Sequence, residues 1–404
     1  MSLIGQATIR GPIICWGDAS NKIPISMNGY RFDVTRNLHS ALRGLRLTEQ
    51  KRVLWVDAIC INQDDIPERS HQVSIMDKIY PAAVEVCVWL GDLPPSQLEP
   101  VAVLFNFLRF WGKEDRHLSA MFDGPLDEQW GFISKGFSTL VKSPWWNRVW
   151  VLQEILLAVS ATVHLGPSKC SWEITVAACS CFYRHTVYCC RGFFFPAVGV
   201  QWANLMHETT RNDIGTTLYE AMDAMRVSER RATDPRDYVY GLLGVIRDGG
   251  LIPDYSLTAE QAYARTTRHI IEETNTLDIL SFRNDDSAPE LPSWVSDWRT
   301  RVRSNIYPYD FIDELLLLRL RHSGCSGVGV GTFRVYDDKI LSIHGLQLNT
   351  VLHVGELMTY DSAVSSLSTV LRNWQHLVHS AFAENNCGDA EFWGTMIGDH
   401  AQLP

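Results

Sequence analysis

Glu154 is the residue whose surroundings in the sequence most favour chemistry. It lies on an expected amphipathic helix, and Trp145, Trp146 and Trp150 precede it closely. A carboxyl group beside so much apolar surface is partly desolvated, which raises its pKa. Such a group can activate water or stabilise a developing positive charge, so Glu154 is the candidate catalytic residue. The alternative is that Glu154 pairs with Arg148 and only anchors the helix.

Three aspartates close apolar runs and form a second candidate set for substrate binding. They are Asp18, Asp57 and Asp92. Because the carboxyl ends of parallel strands open on one edge of a sheet, we expect these acids to converge there, where one of them would hold a sugar hydroxyl. Asn62, in the loop after Asp57, is a further candidate. The alternative is that Asp57 caps the next turn and that Asn62 and Gln63 satisfy loop carbonyls.

Aromatic and guanidinium groups complete the candidate binding set. Trp16 and Trp89 could stack on a base or a nicotinamide ring, and Trp146 and Trp150 are further candidates for substrate binding. The guanidinium forks of Arg69 and Arg148 suit a diphosphate. In the alternative interpretation the tryptophans belong to the core, and the arginines neutralise acids such as Glu68 or Glu154.

Short apolar strands separated by amphipathic helices must position these residues. Strand patterns at Ile13–Trp16, Arg52–Asp57 and Val84–Leu90 alternate with helical patterns at Asn37–Leu45 and Glu68–Tyr80. Strands that are apolar on both faces and are joined through helices predict an α/β fold, with a parallel sheet covered by helices on both faces. A ligand of such a sheet binds at the carboxyl ends of its strands.

The remaining chain predicts further helices and a small β element. Residues 96–142 are an expected helical insertion within a first domain over residues 1–166. Residues 167–300 are expected to be mainly helical, and residues 301–404 to form a small α+β region. Within that region, residues 333–356 alternate as strands do.

Composition argues against two classes of protein. The 404-residue chain has a formal net charge of −10 and a sequence pI near 5.7. We expect no nucleic-acid partner, because binders of duplex DNA gain most of their affinity from clustered Lys and Arg. No apolar run has the length of a membrane span, and residues 1–11 lack a signal-peptide pattern. We therefore expect a soluble, cytoplasmic protein.

No standard metal or cofactor motif is present in the sequence. Cys179, Cys181, Cys189 and Cys190 surround His185, but without the two-residue spacers of zinc knuckles. We therefore expect reduced thiols and no metal. The chain also lacks a Gly-x-Ser-x-Gly elbow, a Walker phosphate loop, a Gly-x-Gly-x-x-Gly turn and a His-Glu-x-x-His helix. No cofactor is required by these patterns.

A long series of motifs resembles the fungal heterokaryon-incompatibility (HET) domain. The motifs are Trp16–Gly17, Val34–Leu38, Leu54–Asp65, Glu68–Arg69, Val88–Gly91 and Trp150–Glu154. Beyond the domain, Ala232–Asp237, Pro253–Ser256 and Leu291–Trp298 are similar to the region that follows it in many large fungal relatives. We expect Thr233–Asp237 and Leu291–Trp298 to be structural clamps between domains, whose acids pair with Arg299 or Arg301.

The resemblance implies a fold and a function. HET domains are similar to Toll/interleukin-receptor (TIR) domains, so the implied fold is a TIR-like, flavodoxin-like parallel sheet. They serve nonself recognition and trigger programmed cell death, which implies self-association through the domain and a protein recognition partner. Some TIR domains cleave NAD with a glutamate on the helix after a Trp-bearing turn. Residues Trp150–Ile155 are similar to that element, so Glu154 would be the catalytic carboxylate and NAD the substrate or ligand.

The chain departs from the family at its first strand. Ile13 and Ile14 stand where relatives carry Ser and Tyr, so two hydroxyls are lost at a strand end. Larger relatives also continue beyond the segment that matches Phe392–Pro404, so we expect either a shortened sequence or divergence. These differences favour an alternative, an enzyme of fungal secondary metabolism that acts on a small apolar substrate. A non-catalytic interaction scaffold is the third interpretation.

Overall fold

The computed structural model describes just over half of the chain. The described residues are 9–14, 20–114, 117–118, 121–122, 127–184, 217–226, 230–246, 250–282, 288, 290–300, 333–343 and 372–373. They form a mixed α/β structure, so the predicted α/β class is confirmed. The chain divides into two compact units, residues 1–263 and 264–404.

Strands and helices are described in both units. The described strands are β1 (Ile9–Ile14), β2 (Lys22–Met27), β3 (Tyr30–Thr35), β4 (Val53–Leu54), β5 (Glu85–Trp89), β6 (Ala161–Leu165), β7 (Ser168–Ser171), β8 (Phe333–Tyr336) and β9 (Ile340–Ile343). The described α-helices are α1 (Arg36–Gly44), α2 (Asp57–Cys60), α3 (Ile66–Ser74), α4 (Met76–Ala82), α5 (Pro95–Glu114), α6 (Glu128–Val141), α7 (Val151–Leu156), α8 (Trp172–Arg184), α9 (Leu218–Arg226), α10 (Asp237–Tyr240) and α11 (Ala259–Thr274).

A five-stranded sheet forms the centre of the first unit. Its order is β4-β1-β5-β6-β7, in which the first four strands are parallel and β7 is antiparallel to β6. The register pairs Cys87 with Thr162 and Trp89 with His164. Because side chains alternate along a strand, Cys87 and Trp89 lie on one face of β5, and Val86 and Val88 lie on the other.

A hairpin and a helix cover the Trp89 face. Strands β2 and β3 meet at Asn28-Gly29, both with positive φ, which is the backbone of a tight hairpin turn. Helix α1 follows, and the Thr35 side chain caps it by accepting the Leu38 N–H. Its buried residues form a core cluster with β3 and β5; the members are Val34, Leu38, Ala41, Leu45, Val56, Cys87 and Trp89.

Gly44 is the point of closest approach between α1 and the sheet. A Cβ built at Gly44 would overlap the ring of Trp89, which is 1% exposed, whereas a Cβ at Gly131 in α6 would meet nothing within 4 Å. We therefore expect Gly44→Ala to destabilise the protein by about 1 to 3 kcal/mol through overpacking. The matched change Gly131→Ala should stabilise it by about 0.5 to 1 kcal/mol, because alanine is the better helix former. Urea unfolding measures the free energy of unfolding of both variants. Equal changes in the two would contradict the close contact between Gly44 and Trp89.

Helices cover the opposite face of the sheet as well. Val86, Val88 and Val163 are fully buried there. Helix α8 contacts β6 and β7, and α5 packs against both α6 and α8. The predicted helical stretch over residues 96–142 corresponds to α5 and α6.

The single helix predicted over Glu68–Tyr80 is two helices, so that prediction is wrong in one detail. Asp65 caps α3 by accepting the Glu68 N–H at 3.0 Å, and α3 ends at Ser74. Ile75 has a φ of −114°, outside the helical range, and separates α3 from α4. Its N–H bonds the carbonyls of Gln72 and Val73 instead of the one four residues back. Tyr80 therefore belongs to α4 and not to the helix that carries Glu68.

The second unit contains a buried acid that holds its own loop. Asp297 accepts hydrogen bonds from the Arg299 side chain at 2.8 and 3.0 Å and from the Ala288 N–H at 3.2 Å. Trp294 donates through Nε1 to the Lys339 carbonyl, which lies in the turn between β8 and β9. The predicted pairing of an acid in Leu291–Trp298 with Arg299 is therefore observed. In the described part of the chain, no helix is both long enough and apolar enough to cross a membrane.

Candidate active site

The Trp-bearing turn is fixed to the carboxyl end of β5. Ser143 donates through its hydroxyl to the Leu90 carbonyl at 3.0 Å, one residue after the strand. The same hydroxyl caps the 3₁₀ turn Pro144–Asn147 by accepting the Trp145 N–H. The segment that leads into α7 is thereby attached to the edge of the sheet at which ligands of parallel sheets bind.

Glu154 points into the protein from α7. It is 4% exposed, and its carboxylate accepts a hydrogen bond from Trp145 Nε1 at 3.3 Å. The nearest charged group is the Arg148 guanidinium, 3.7 Å from Oε1. The side chain is therefore held between an indole N–H and a cation, within a desolvated environment.

Burial gives this carboxyl group an unusual protonation equilibrium. Desolvation raises the pKa of Glu154 to about 7, and the negative charge of Asp57 adds to the rise, while Arg148, Trp145 and Arg230 oppose it. A group with this pKa is present in both protonation states near neutral pH, which is the condition for general acid–base catalysis. Tyr80 on α4 shares the environment: burial, followed by the charges of Glu154 and Asp57, raises its pKa.

Arg230 is a second cation at the site, and it comes from the region after the domain. It is 2% exposed, and its Nη1 donates to the Arg148 carbonyl at 2.8 Å. Burial lowers its pKa to about 9, an effect that Glu154 partly opposes. The neighbouring backbone pairs in parallel: Val149 donates to the Arg231 carbonyl at 3.2 Å, and Arg231 donates to the carbonyl of Asn147. Residues 230–231 thus close one side of the Trp-bearing turn.

A second buried acid, Asp237 on α10, contacts two of the predicted site residues, Trp150 and Arg69. Its carboxyl oxygens accept from Tyr255 Oη at 2.6 Å and from Trp150 Nε1 at 2.9 Å, and the Arg69 guanidinium lies 3.8 Å away. Desolvation raises the pKa of Asp237 despite these hydrogen bonds. The guanidinium of Arg69 also lies over the Tyr255 ring, 3.7 Å from its centroid.

Asp234 completes a clamp around the same arginine. It pairs with Arg236 at 2.7 Å and with Arg69 at 3.0 Å, and Arg236 in turn donates to the carbonyls of Tyr255 and Leu257. The expectation that the acids of Ala232–Asp237 pair with Arg299 or Arg301 is therefore wrong for Asp234, whose partners are Arg69 and Arg236. These partners carry a planar guanidinium that can bond the carboxylate and the backbone together.

The remaining predicted residues occupy separate places. Asp57 is the first residue of α2 and accepts the Ala58 N–H at 2.7 Å, and its negative charge raises the pKa of Glu154. Asn62 accepts the Asp64 N–H in the exposed loop, and Asp92 is exposed. Trp16 and Asp18 lie outside the described residues, as does most of the cysteine-rich stretch.

Trp146 belongs to an aromatic cluster instead of a visible binding surface. It is 7% exposed, donates through Nε1 to the Leu140 carbonyl at 2.7 Å, and stacks on Trp172 at 6.0 Å between ring centroids. Trp145 packs edge-on against both rings. The structure thus brings together Glu154, Arg148 and Trp145, with Asp57 nearby, and directs Arg69 and Trp150 to Asp237. The roles assigned to these residues stay predictions.

The first unit is therefore an α/β structure that buries a carboxyl group, Glu154, whose pKa is raised to about 7. Residues 14–154 match the family model for Heterokaryon incompatibility protein (HET). The match runs from the last residue of β1 to Glu154 itself. Residues 14–154 of this chain thus carry a HET domain.

A relative extends this similarity beyond the domain. Heterokaryon incompatibility protein 6, OR allele, of Neurospora crassa is 26% identical to this chain over an alignment of 478 positions, gaps included, that covers 95% of this chain and 68% of the relative. The region that supplies Arg230, Asp234 and Asp237 is therefore within the shared part. No solved structure matches this chain significantly.

Proposed function

We propose that this protein acts in fungal nonself recognition leading to cell death, and that Glu154 takes part in binding and cleaving NAD at the carboxyl edge of a TIR-like sheet. The HET-family match and the Neurospora crassa relative support the first part. The single observation that carries the second is the buried carboxyl group of Glu154, whose pKa lies near 7.

The strand order supports a flavodoxin-like sheet. With the β2–β3 hairpin set aside, the strands follow the chain order 2-1-3-4-5, which is the order of flavodoxin-like sheets. Their ligands bind where the order reverses, which here is between β1 and β5. Ser143 attaches the Trp-bearing turn to the carbonyl that follows β5, and Trp145 of that turn bonds Glu154, which supports a position of Glu154 near that point.

The proposed reaction is hydrolysis of the bond between nicotinamide and ribose. Nicotinamide leaves with the electron pair of the glycosidic bond, which neutralises its pyridinium and leaves a positive charge on the ribosyl carbon. A carboxylate at Glu154 stabilises that charge. Water then forms the new C–O bond and loses one proton, so the products are nicotinamide, ADP-ribose and a proton.

Arg148 must respond when a substrate enters. In the structure its guanidinium lies 3.7 Å from Glu154, and the carboxylate is nearly inaccessible to solvent. A diphosphate would compete with Glu154 for this guanidinium, since arginine bonds both anions through the same fork. Substrate binding and release of the Glu154 carboxylate are therefore coupled in this proposal.

Release of nicotinamide from NAD tests the catalytic part of the proposal. Purified full-length protein should consume NAD, and Glu154→Gln should lower turnover by about 100-fold or more, the usual contribution of a positioned acid or base. Glu99→Gln on α5 is the matched control, because Glu99 is exposed, and it should keep full turnover. Full turnover by Glu154→Gln would remove Glu154 from the mechanism.

A non-catalytic scaffold is the second candidate function, and the closed position of Glu154 favours it. Trp145 and Arg148 already occupy the carboxylate, as they would in a purely structural ion pair. Absence of NAD turnover by the wild-type protein would favour this candidate. Self-association through the HET domain and a protein recognition partner stay predictions under both. The charged cavity described below gives no support to a small apolar substrate.

A further inference from the structure

A polar cavity lies in the first unit, apart from Glu154. It has a volume of about 300 Å³, and its lining includes Arg52, Glu85, Arg109, Thr162, His164 and Lys169. Glu154, Arg148 and Trp145 do not line it. Glu85, Thr162 and His164 share one face of the sheet, because the register pairs alternate residues of β5 and β6. Lys169 pairs with His164 on the neighbouring edge strand.

The lining carries an excess of positive charge. Arg52, Arg109 and Lys169 face the cavity with a single carboxylate, Glu85, which accepts a hydrogen bond from Thr162 Oγ1 at 2.6 Å. The whole chain has a formal net charge of −10. A cluster of cations in an acidic protein is held together against mutual repulsion, so an anion bound among them would stabilise the fold.

Arg52 has a hydrogen-bond donor that is unpaired within the described part of the chain, and Arg109 is fixed in position by hydrogen bonds. The Arg52 Nε is buried and has no hydrogen-bond partner among the described residues, and an unsatisfied buried donor costs free energy that an acceptor recovers. Arg109 is held at the rim, where its Nη1 donates to Asn106 Oδ1 at 2.7 Å and its Nη2 to the Lys169 carbonyl at 2.5 Å.

His164 reports the local charge. The pKa of His164 is lowered to about 4. Burial is the main cause, Glu85 opposes it, and the positive charges of Lys169 and Arg52 add to the lowering. The imidazole is therefore neutral at neutral pH and offers one N–H donor and one acceptor. An anion beside these cations would shield the imidazole from them and raise the pKa of His164.

We propose that this cavity binds the phosphate group of a small metabolite such as a sugar phosphate, through Arg52, Arg109 and Lys169. Guanidinium groups match the geometry of phosphate oxygens, and lysine adds a point charge. The volume lies at the lower end of the range for small-molecule sites, which suits a compact ligand. The site is separate from Glu154, so either proposal can fail without the other.

Calorimetric titration of the full-length protein with ribose 5-phosphate, inorganic phosphate and ribose tests the proposal. Ribose 5-phosphate and phosphate should bind, and ribose should not. Arg52→Gln and Lys169→Gln should each weaken binding by about tenfold, as expected for loss of one charge-assisted contact. Lys142→Gln, which changes an equally exposed lysine outside the cavity, should leave binding unchanged.

The NMR titration of His164, assigned with His164→Asn, gives an independent reading. Ribose 5-phosphate should raise the pKa of His164, and ribose should not change it. No binding of either phosphate compound at about 10 mM would overturn the proposal. Equal affinities of Lys169→Gln and Lys142→Gln would also overturn it. Lys169 is exposed, so its substitution tests the site even where Arg52→Gln fails to fold.

Discussion

Asp237→Ala should destabilise the first unit by about 2 to 4 kcal/mol, because it leaves one buried and one partly buried hydrogen-bond donor without their acceptor. The carboxyl group accepts from Tyr255 and Trp150 and faces Arg69 at 3.8 Å. Its removal leaves the buried Tyr255 hydroxyl and the partly buried Trp150 N–H without their acceptor, and it takes one of two carboxylates away from Arg69. Urea unfolding followed by tryptophan fluorescence measures the loss.

Asp92→Ala is the matched control for this prediction. Asp92 is exposed, so its removal should change stability by no more than about 0.5 kcal/mol. Asp237→Asn should fall between the two, because an amide keeps one acceptor oxygen but turns a donor toward the remaining partner. Equal stability of Asp237→Ala and the wild-type protein would contradict the clamp as an energetic feature.

Glu154→Gln should remove a pH dependence from the stability of the wild-type protein. The pKa of Glu154 is raised from 4.5 to about 7 in the folded state, so the folded protein binds a proton more tightly than the unfolded chain between these values. Stability therefore falls as pH rises through this window, by about 3 kcal/mol in total. Below about pH 4.5 the Glu154 carboxyl group is protonated in both the folded and the unfolded state, so it adds no further pH dependence to stability.

Comparison between variants isolates this effect from other titrating groups. His164, whose pKa is lowered to about 4, makes stability rise between about pH 4 and 6.5 in both proteins, which is the opposite direction. The difference in unfolding free energy between the wild type and Glu154→Gln cancels this contribution. The difference should fall with rising pH. Parallel profiles, such as we expect for the exposed control Glu99→Gln, would contradict the raised pKa.

The sequence predicted the α/β class because its strands are apolar and its helices amphipathic, and these patterns are local. It predicted Ala161–Leu165 with the bounds observed for β6. It missed the β2–β3 hairpin, although Asn28-Gly29 is a strong turn signal. It also missed β7, a four-residue edge strand whose Ser and Lys residues lack a strand pattern. Edge strands are defined by their neighbour, which the local sequence does not show.

The local sequence also predicted part of the candidate site, namely Glu154 and its contact with Arg148. Tryptophans near Glu154 predicted a desolvated carboxyl group, and the alternative pairing with Arg148 was also foreseen, as the 3.7 Å contact illustrates. Arg230 was missed because its partner carbonyl lies 82 positions earlier in the chain. No local pattern distinguishes a buried arginine from a surface one.

Arg69 shows how tertiary contacts decide between predicted roles. The sequence offered a diphosphate or the neighbouring Glu68 as its partner. In the structure Arg69 pairs with Asp234 and Asp237, more than 160 positions away. The motif Thr233–Asp237 was recognised as a clamp, but its partner could not be chosen without the fold. Arg69 is therefore part of the clamp in the structure, and its role in substrate binding stays a prediction.

The central claim is that Glu154 is a buried acid that titrates near neutral pH. The most direct test follows the side-chain carboxyl ¹³C resonance of Glu154 by NMR during a pH titration of protein labelled in glutamate, with the signal assigned by its absence in Glu154→Gln. We predict a midpoint near the value of about 7 given by burial. A midpoint close to the ordinary glutamate value of about 4.3 would contradict the account.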